Sequence, residues 1–168
     1  MEKSVGFPPI ANDSARVLVL GSLPSRKSLL DKEYYAHPQN VFWPVMREIF
    51  GAAGNYEERC ACLLRHEVAV WDVLQASVRP GSMDADIRQE TAVVNDFDVF
   101  LEQHPHIQGV AFNGKTAEKL FRDSVVSHRA SRLRMLSLPS TSPAYAAMPF
   151  AGKLKRWRSG MIWLRQEN

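Results

Sequence analysis

Four short apolar runs, each followed by glycine, proline or polar residues, constrain the fold of this chain more than any other feature. They occupy residues 16–20 (RVLVL), 68–71 (VAVW), 107–112 (IQGVAF) and 134–138 (RMLSL). Runs of this length between turn-forming residues are typical of strands that are buried on both faces. The sequence therefore predicts a central sheet of four strands.

Helix-forming segments lie between these runs. Pro44 fits the first turn of a helix that ends at Phe50. Further helices are predicted over residues 56–66, 94–103 and 115–121. An amphipathic closing helix is indicated by four apolar residues at spacings of three, four and three: Leu154, Trp157, Met161 and Leu164. Because strands alternate with helices, we predict a largely parallel sheet in a three-layer α/β/α sandwich, formed by residues 1–168 as one domain.

Polar loops follow all four predicted strands, at residues 21–28, 72–82, 113–114 and 139–145. In sheets of this kind, ligands bind beyond the carboxyl ends of the strands. We therefore expect the functional site where these loops meet.

Charge is distributed unevenly along the chain. Residues 1–114 carry 10 Lys and Arg against 15 Asp and Glu, a net charge of −5, whereas residues 115–168 carry 11 against 3, a net charge of +8. A basic C-terminal third suggests a polyanionic partner such as nucleic acid, although a solvated basic helix would have the same composition.

Several classes of protein and site are disfavoured. No apolar run approaches the roughly 18 residues that span a bilayer, and residues 1–9 (MEKSVGFPP) lack the apolar core of a signal peptide. The two cysteines, Cys60 and Cys62, are too few for a four-cysteine zinc or iron–sulfur site. We expect a cytoplasmic protein with no membrane contact, no metal and no other cofactor.

One motif suggests a nucleotide-binding enzyme. Residues 109–116 (GVAFNGKT) match the phosphate-loop pattern G-x-x-x-x-G-K-[ST], and residues 68–72 (VAVWD) end in an Asp that could bind magnesium. In a phosphate loop, however, the strand precedes the first glycine, whereas here residues 110–112 resemble the strand itself. This function is kept as the weaker alternative.

Four separated segments together resemble the uracil-DNA glycosylase superfamily, most closely its hypoxanthine-DNA glycosylase branch. They are GSLPS (21–25), YYAHPQNVFW (34–43), FNGKTA (112–117) and LPSTSPAY (138–145), with a weaker fifth at residues 71–87. The resemblance implies a small α/β sandwich and hydrolysis of the bond between deoxyribose and a deaminated base: hypoxanthine, or else uracil or xanthine. The expected partner is single- or double-stranded DNA that contains such a base, bound by a monomer.

The resemblance also implies catalytic roles. In most superfamily members, an Asp or Asn of the first loop positions the attacking water, but here Ser22 and Leu23 stand in that loop. The resemblance implies that Asn40 takes over this role, and His37 is a possible hydrogen-bond donor to the departing base. By their residue types alone, Asn40 fits a turn before a helix and His37 fits a packed loop equally well.

Base binding is expected from residues of several loops. The resemblance implies that Tyr35 stacks on the flipped base, and the Asp72 carboxylate could accept the N1–H of hypoxanthine or the N3–H of uracil. Asn113, with Ser22 and Leu23, completes the set of predicted base contacts. Core packing for Tyr35, a cap for Asp72 and a turn role for Asn113 stay open.

Contacts with the DNA backbone are expected in the last loop and the closing helix. The resemblance implies that the loop enters the minor groove, with Tyr145 or Met148 as the wedge that fills the vacated stack. The predicted DNA-binding residues are Ser25, Ser140, Thr141, Ser142, Pro143, Tyr145, Lys153, Lys155 and Arg156. No lysine occupies a Schiff-base position, so a monofunctional enzyme is expected. A catalytically silent DNA-binding member is the second alternative, because GSLPS holds no acidic residue.

Overall fold

The central sheet of this protein has four strands, all parallel. A computed structural model describes residues 2–167, and its strand order is β3-β2-β6-β7. These strands are β2 (Val17–Gly21), β3 (Val68–Asp72), β6 (Gly109–Asn113) and β7 (Arg134–Leu138). All four predicted strands are therefore confirmed.

Helices cover both faces of this sheet, which confirms the predicted α/β class. They are α1 (Arg26–Asp31), α2 (Phe42–Phe50), α3 (Tyr56–Arg65), α4 (Phe97–Gln103), α5 (Lys115–Ser124) and α6 (Phe150–Arg165). The sequence did not predict α1, a six-residue helix that begins where the Ser25 side chain accepts a hydrogen bond from the Ser28 N–H. None of the helices within residues 2–167 is long and apolar enough to cross a membrane.

Alternating residues of each central strand feed two hydrophobic cores. Val17 and Val19 of β2 face a core closed by Trp157 of α6, whereas Leu18 and Leu20 face a core closed by α4 and α5. Trp157, Met161 and Leu164 are fully buried, and Leu154 packs at the edge of the same core. The predicted apolar face of the closing helix is confirmed.

A second, three-stranded antiparallel sheet was missed by the sequence analysis. It consists of β1 (Lys3–Val5), β4 (Leu74–Val78) and β5 (Arg88–Val94) in the order β1-β4-β5. β5 has the sequence RQETAVV and is largely exposed, and its register with β4 shifts twice. It therefore lacks the alternation that indicates a strand. The connection from β4 to β5 folds back to the carboxyl edge of the central sheet.

The nucleotide-binding alternative fails on topology. Gly109 begins β6, and the residues up to Asn113 form a wholly buried strand instead of a loop. The backbone between the two glycines of GVAFNGKT therefore pairs with β2 and β7 and cannot surround a phosphate group.

Candidate active site

A cleft of about 480 Å³ opens at the carboxyl ends of the central strands. Its walls come from the loop after β2, the segment before α2, the end of β3, the β4–β5 connection, the turn into α5 and the loop after β7. Thirteen predicted site residues line it: Ser22, Leu23, Ser25, Tyr35, His37, Asn40, Asp72, Asn113, Ser140, Thr141, Ser142, Pro143 and Tyr145. The polar loops therefore meet at one site, as the parallel topology requires.

Tyr35 and Asp72 form the floor of this cleft. Asp72 ends β3 directly beside Gly21 of β2, and a Cβ atom on Gly21 would lie 2.6 Å from Asp72 Oδ1 and 2.9 Å from the Tyr35 hydroxyl oxygen. Only glycine fits there. Within residues 2–167, neither the Tyr35 hydroxyl nor Asp72 Oδ2 has a hydrogen-bond partner, although both atoms are buried. Unpaired buried polar atoms are costly, and they commonly mark functional sites.

The environment of Asp72 favours its neutral form. Burial raises the pKa of Asp72 to about 7, the nearby Arg79 guanidinium opposes this shift, and the Asp84 carboxylate adds to it. Burial and the charge of Asp72 also raise the pKa of Tyr35, whose hydroxyl therefore keeps its proton. The floor of the cleft thus offers one phenolic O–H donor and one carboxyl group that titrates near neutral pH.

Tyr35 is held in a conformation that tyrosine rarely adopts. Its φ is +56°, in the left-handed region, and its ring lies 4.1 Å from the ring of Phe42 at 30°. Tyr34, beside it, is anchored by a 2.9 Å bond from its hydroxyl to Pro8 O and accepts a 2.8 Å bond from Trp43 Nε1 at its carbonyl. These contacts offset the backbone strain, which is on the order of 1 kcal/mol.

The two candidate catalytic side chains sit at the entrance to α2. Asn40 Oδ1 accepts a 2.9 Å bond from the Phe42 N–H, which fixes the orientation of its amide. His37 Nδ1 accepts from the Gln39 N–H at 3.1 Å. Since Nδ1 is an acceptor here, a neutral His37 ring carries its proton on Nε2 and can donate from that atom.

Asn113 and Thr141 both line the cleft and bond to each other. Asn113 Nδ2 donates to Thr141 Oγ1 and Asn113 Oδ1 accepts from the Thr141 N–H, both at 2.9 Å. The Thr141 carbonyl accepts from the Val41 N–H at 3.0 Å. These bonds hold the last loop against the turn into α5 and the start of α2, and the predicted base contact of Asn113 and DNA contact of Thr141 stay predictions.

Lys153 was predicted to contact the DNA backbone, but it is not exposed. Its side chain is buried, and Nζ donates to the Tyr145 carbonyl at 2.6 Å and to the Ser142 carbonyl at 3.5 Å. It thus fastens the loop of residues 139–145 from below and is not a free cation for phosphate. Lys155 and Arg156 lie outside the cleft and are exposed, so their predicted DNA contacts stay predictions.

Further cleft residues were not singled out in the sequence: Ser28, Ser82, Met83, Asp84, Ala85, Lys115 and Thr116. Asp84 is the most informative of them, because it accepts a hydrogen bond from the Ser22 hydroxyl of the first loop. The resemblance of residues 71–87 was the only sequence signal for this segment. Residues 2–167 contain no group of three or more His, Cys, Asp or Glu side chains that could hold a metal ion.

Comparisons with known proteins agree with this architecture. The model of the uracil DNA glycosylase superfamily matches residues 8–160. The chain is similar to proteins named hypoxanthine DNA glycosylase from Methanosarcina barkeri (37% identity over 116 residues) and Methanosarcina acetivorans (35% over 115), with 67% of this chain and 72% of each relative covered.

A solved structure is similar over nearly the whole chain. It is the solution NMR structure of a protein from Methanosarcina acetivorans, and it matches with a TM-score of 0.79 at 29% identity over 98% of this chain and all of its own. With the family match over most of its length and with this cleft at the expected edge, the chain belongs to the uracil DNA glycosylase superfamily.

Proposed function

We propose that this protein is a monofunctional DNA glycosylase that removes hypoxanthine, the deamination product of adenine, from DNA. The observation that carries this proposal is the pair of buried, unpartnered polar atoms on the cleft floor, the Tyr35 hydroxyl and Asp72 Oδ2. The names of the two relatives point to the same base.

The hydrogen-bonding groups of the cleft floor are complementary to the lactam edge of a base. Hypoxanthine presents an N1–H donor beside a C6 carbonyl acceptor, and uracil presents N3–H beside C4=O. The Tyr35 O–H can donate to the carbonyl while an Asp72 oxygen accepts the ring N–H. Adenine presents the opposite pattern, an amino donor beside a ring-nitrogen acceptor. When Asp72 is ionised, adenine N1 would lie against one of its oxygens, and two facing acceptors cost about 1–3 kcal/mol in a buried site.

The chemistry proposed for the cleft is hydrolysis of the N-glycosidic bond of a flipped nucleotide. Asn40 orients the attacking water through its fixed amide oxygen, and His37 Nε2–H donates to the base as negative charge develops on it. Lys115 lies at the cleft beside the turn into α5, and no Schiff base is proposed for it.

The proposed substrate is DNA, bound by a monomer along the loop of residues 139–145. Tyr145 is exposed at the end of this loop, and its ring lies 5.1 Å from Lys153 Nζ. An exposed aromatic on a braced loop is suited to fill the space that a flipped nucleotide leaves in the stack. No metal is proposed for the reaction, and a cytoplasmic location is proposed for the protein.

The test is a set of duplex and single-stranded oligonucleotides that carry hypoxanthine, uracil, xanthine or adenine at one position, assayed with a chelator present. We expect hypoxanthine to be released fastest and adenine not at all, with strand cleavage only after alkali treatment. Tyr35→Phe keeps the ring and removes the donor, so excision should fall about 10- to 100-fold.

Tyr56→Phe is the control: it removes a hydroxyl outside the cleft that accepts a 3.0 Å bond from the Tyr34 N–H, and so reports the effect of loosening this segment while the floor donor is kept. A wild-type protein that binds these DNAs and releases none of the bases would favour the catalytically silent alternative. Equal activity of Tyr35→Phe and wild type would remove Tyr35 from base recognition.

A further inference from the structure

The first loop of the cleft lacks an acidic residue, yet a carboxylate is held against it by a different part of the chain. Ser22 is buried in that loop, and its hydroxyl donates to Oδ1 of Asp84, which lies 62 residues later in the 3₁₀ helix Asp84–Asp86. Asp84 lines the cleft, and its side chain is exposed there.

Several contacts fix the Asp84 segment to the first loop. The buried Arg79, just after β4, donates to the carbonyl oxygens of Leu23 and Pro24. Arg26 donates from its side chain to the Pro80 carbonyl and from its backbone N–H to Ser82 Oγ, the latter at 3.2 Å. The residues that lead up to Asp84 are therefore bonded to the first loop and the start of α1 at three positions.

Asp84 and Asp72 are the two carboxyl groups that line the cleft within residues 2–167. Asp72 is buried at the floor beside Tyr35, where it faces the base. Asp84 lies at the rim, exposed to water. Two carboxyl groups in contrasting environments are a common arrangement for dividing roles between a neutral and a charged group.

A charged carboxylate can assist hydrolysis of an N-glycosidic bond in two ways. The sugar becomes cationic as the base departs, and the attacking water must lose a proton, for which the neutral Asn40 amide is a poor acceptor. Asn40 can orient the water, but a carboxylate can also take its proton and stabilise the cation.

We propose that Asp84 is the catalytic carboxylate of this enzyme, delivered to the cleft by the β4–β5 connection in place of the missing acidic residue of the first loop. This inference rests on the proposed glycosylase function. The bond between C1′ and the base nitrogen breaks with its electron pair on the base. The water oxygen bonds to C1′, the water proton passes to Asp84, and the base regains a proton through solvent.

Single-turnover excision by Asp84→Asn at saturating protein tests this role. The amide keeps an oxygen for the Ser22 hydroxyl but cannot accept a proton, so the rate should fall about 10²- to 10⁴-fold. The dissociation constant for lesion-containing DNA should stay equal or decrease, since a negative charge has been removed from a DNA-binding cleft. Loss of rate without loss of affinity is the signature of a group that acts in the transition state.

Asp86→Asn is the matched control. Asp86 lies two residues away in the same 3₁₀ helix, carries the same charge and does not line the cleft. Its substitution should change the rate less than threefold. In Asp84→Ala, added formate should restore part of the rate, whereas chloride at the same ionic strength should not, because only a small carboxylate can replace the missing group.

Two outcomes would overturn the inference, and they are distinguishable. If wild-type protein excises hypoxanthine and Asp84→Asn does so within threefold of it, Asp84 is not the catalytic carboxylate and the proposed function stands. If Asp84→Asn and Asp86→Asn are impaired equally and formate restores nothing, Asp84 serves only to hold the segment. A wild-type protein that excises none of the bases would remove the proposed function itself.

Discussion

The buried carboxyl group of Asp72 links stability to pH in this protein. Burial raises its pKa to about 7, whereas in an unfolded chain it is about 3.9. A raised pKa means that the folded state binds more protons between these values. The contribution of neutral Asp72 to stability is therefore fully present below about pH 4 and is lost as the pH rises through 7.

Asp72→Asn should remove this pH dependence, because an amide has nearly the same shape and does not titrate. We expect the free energy of unfolding of the variant, relative to that of wild type, to increase from pH 5 to about pH 7 and then to level off, with a total change on the order of 4 kcal/mol as an upper bound. Thermal unfolding of both proteins across this range provides the measurement. A constant difference in melting temperature would mean that Asp72 is charged throughout.

Asn40 is expected to orient the attacking water through its side-chain amide. Two substitutions of Asn40 separate this catalytic effect from the loss of its bond to the Phe42 N–H. Asn40→Ala loses both the water-orienting oxygen and the bond to the Phe42 N–H, so about 1 kcal/mol of stability should be lost with it. Asn40→Ser keeps an acceptor for that N–H. If Asn40 orients the water, single-turnover excision by both variants should fall at least about 100-fold with DNA affinity retained. Activity of the Ser variant near that of wild type would contradict this role.

At the scale of elements, the closing helix α6 controls the loop that precedes it. Lys153 contributes its ammonium group to the Ser142 and Tyr145 carbonyls from a buried position. Each such bond to a charged donor is worth about 1.5–3 kcal/mol. The loop of residues 139–145 is therefore held in place although its last three residues are exposed.

Lys153→Met should release this loop while keeping much of the packed side-chain volume. We expect faster proteolytic cleavage within residues 139–149 and a roughly tenfold or greater loss of excision, with the dependence of DNA binding on salt unchanged. Lys155→Met is the control for proteolysis and excision, because Lys155 lies two residues further along α6 and is exposed. A weaker salt dependence of DNA binding in Lys153→Met would indicate that Lys153 contacts DNA phosphate, as first predicted.

The sequence reveals some of these elements and hides others for physical reasons. β2, β3 and β6 are recognisable because both of their faces are buried, as in β2 with all five residues inaccessible. β5 is largely exposed and pairs irregularly, so its residues show no apolar period. The position of Asp84 depends on that hairpin folding back to Ser22, and no local pattern encodes a contact across 62 residues. The burial of Lys153 likewise depends on two carbonyl groups that only the folded loop brings together.

At the scale of the whole molecule, the uneven charge distribution makes DNA binding sensitive to salt. Lys155 and Arg156 are exposed cations of the basic C-terminal third. If the protein neutralises about four to six phosphates, the logarithm of its affinity should fall against the logarithm of salt concentration with a slope of about −4 to −5.

Charge reversal of Lys155 and Arg156 to Glu should make this slope less negative by about 2 or more, with single-turnover excision at saturating protein unchanged. Salt titrations on lesion-free and lesion-containing duplexes provide the measurement. Identical slopes for the variant and wild type would show that these side chains are only solvated, and the phosphate contacts would then have to be sought around Arg129 and Arg132.

The order of the elements along the chain also determines when the cleft is completed during protein synthesis. The small sheet has all its strands once residue 94 has been made, but β7 ends at residue 138 and α6, which covers one core, ends at residue 165. The wall formed by residues 140–145 and its anchor Lys153 belong to this last part. A nascent chain that stops before β7 and α6 therefore has the segment that carries Asp84 but no closed cleft, and base excision must await synthesis of α6.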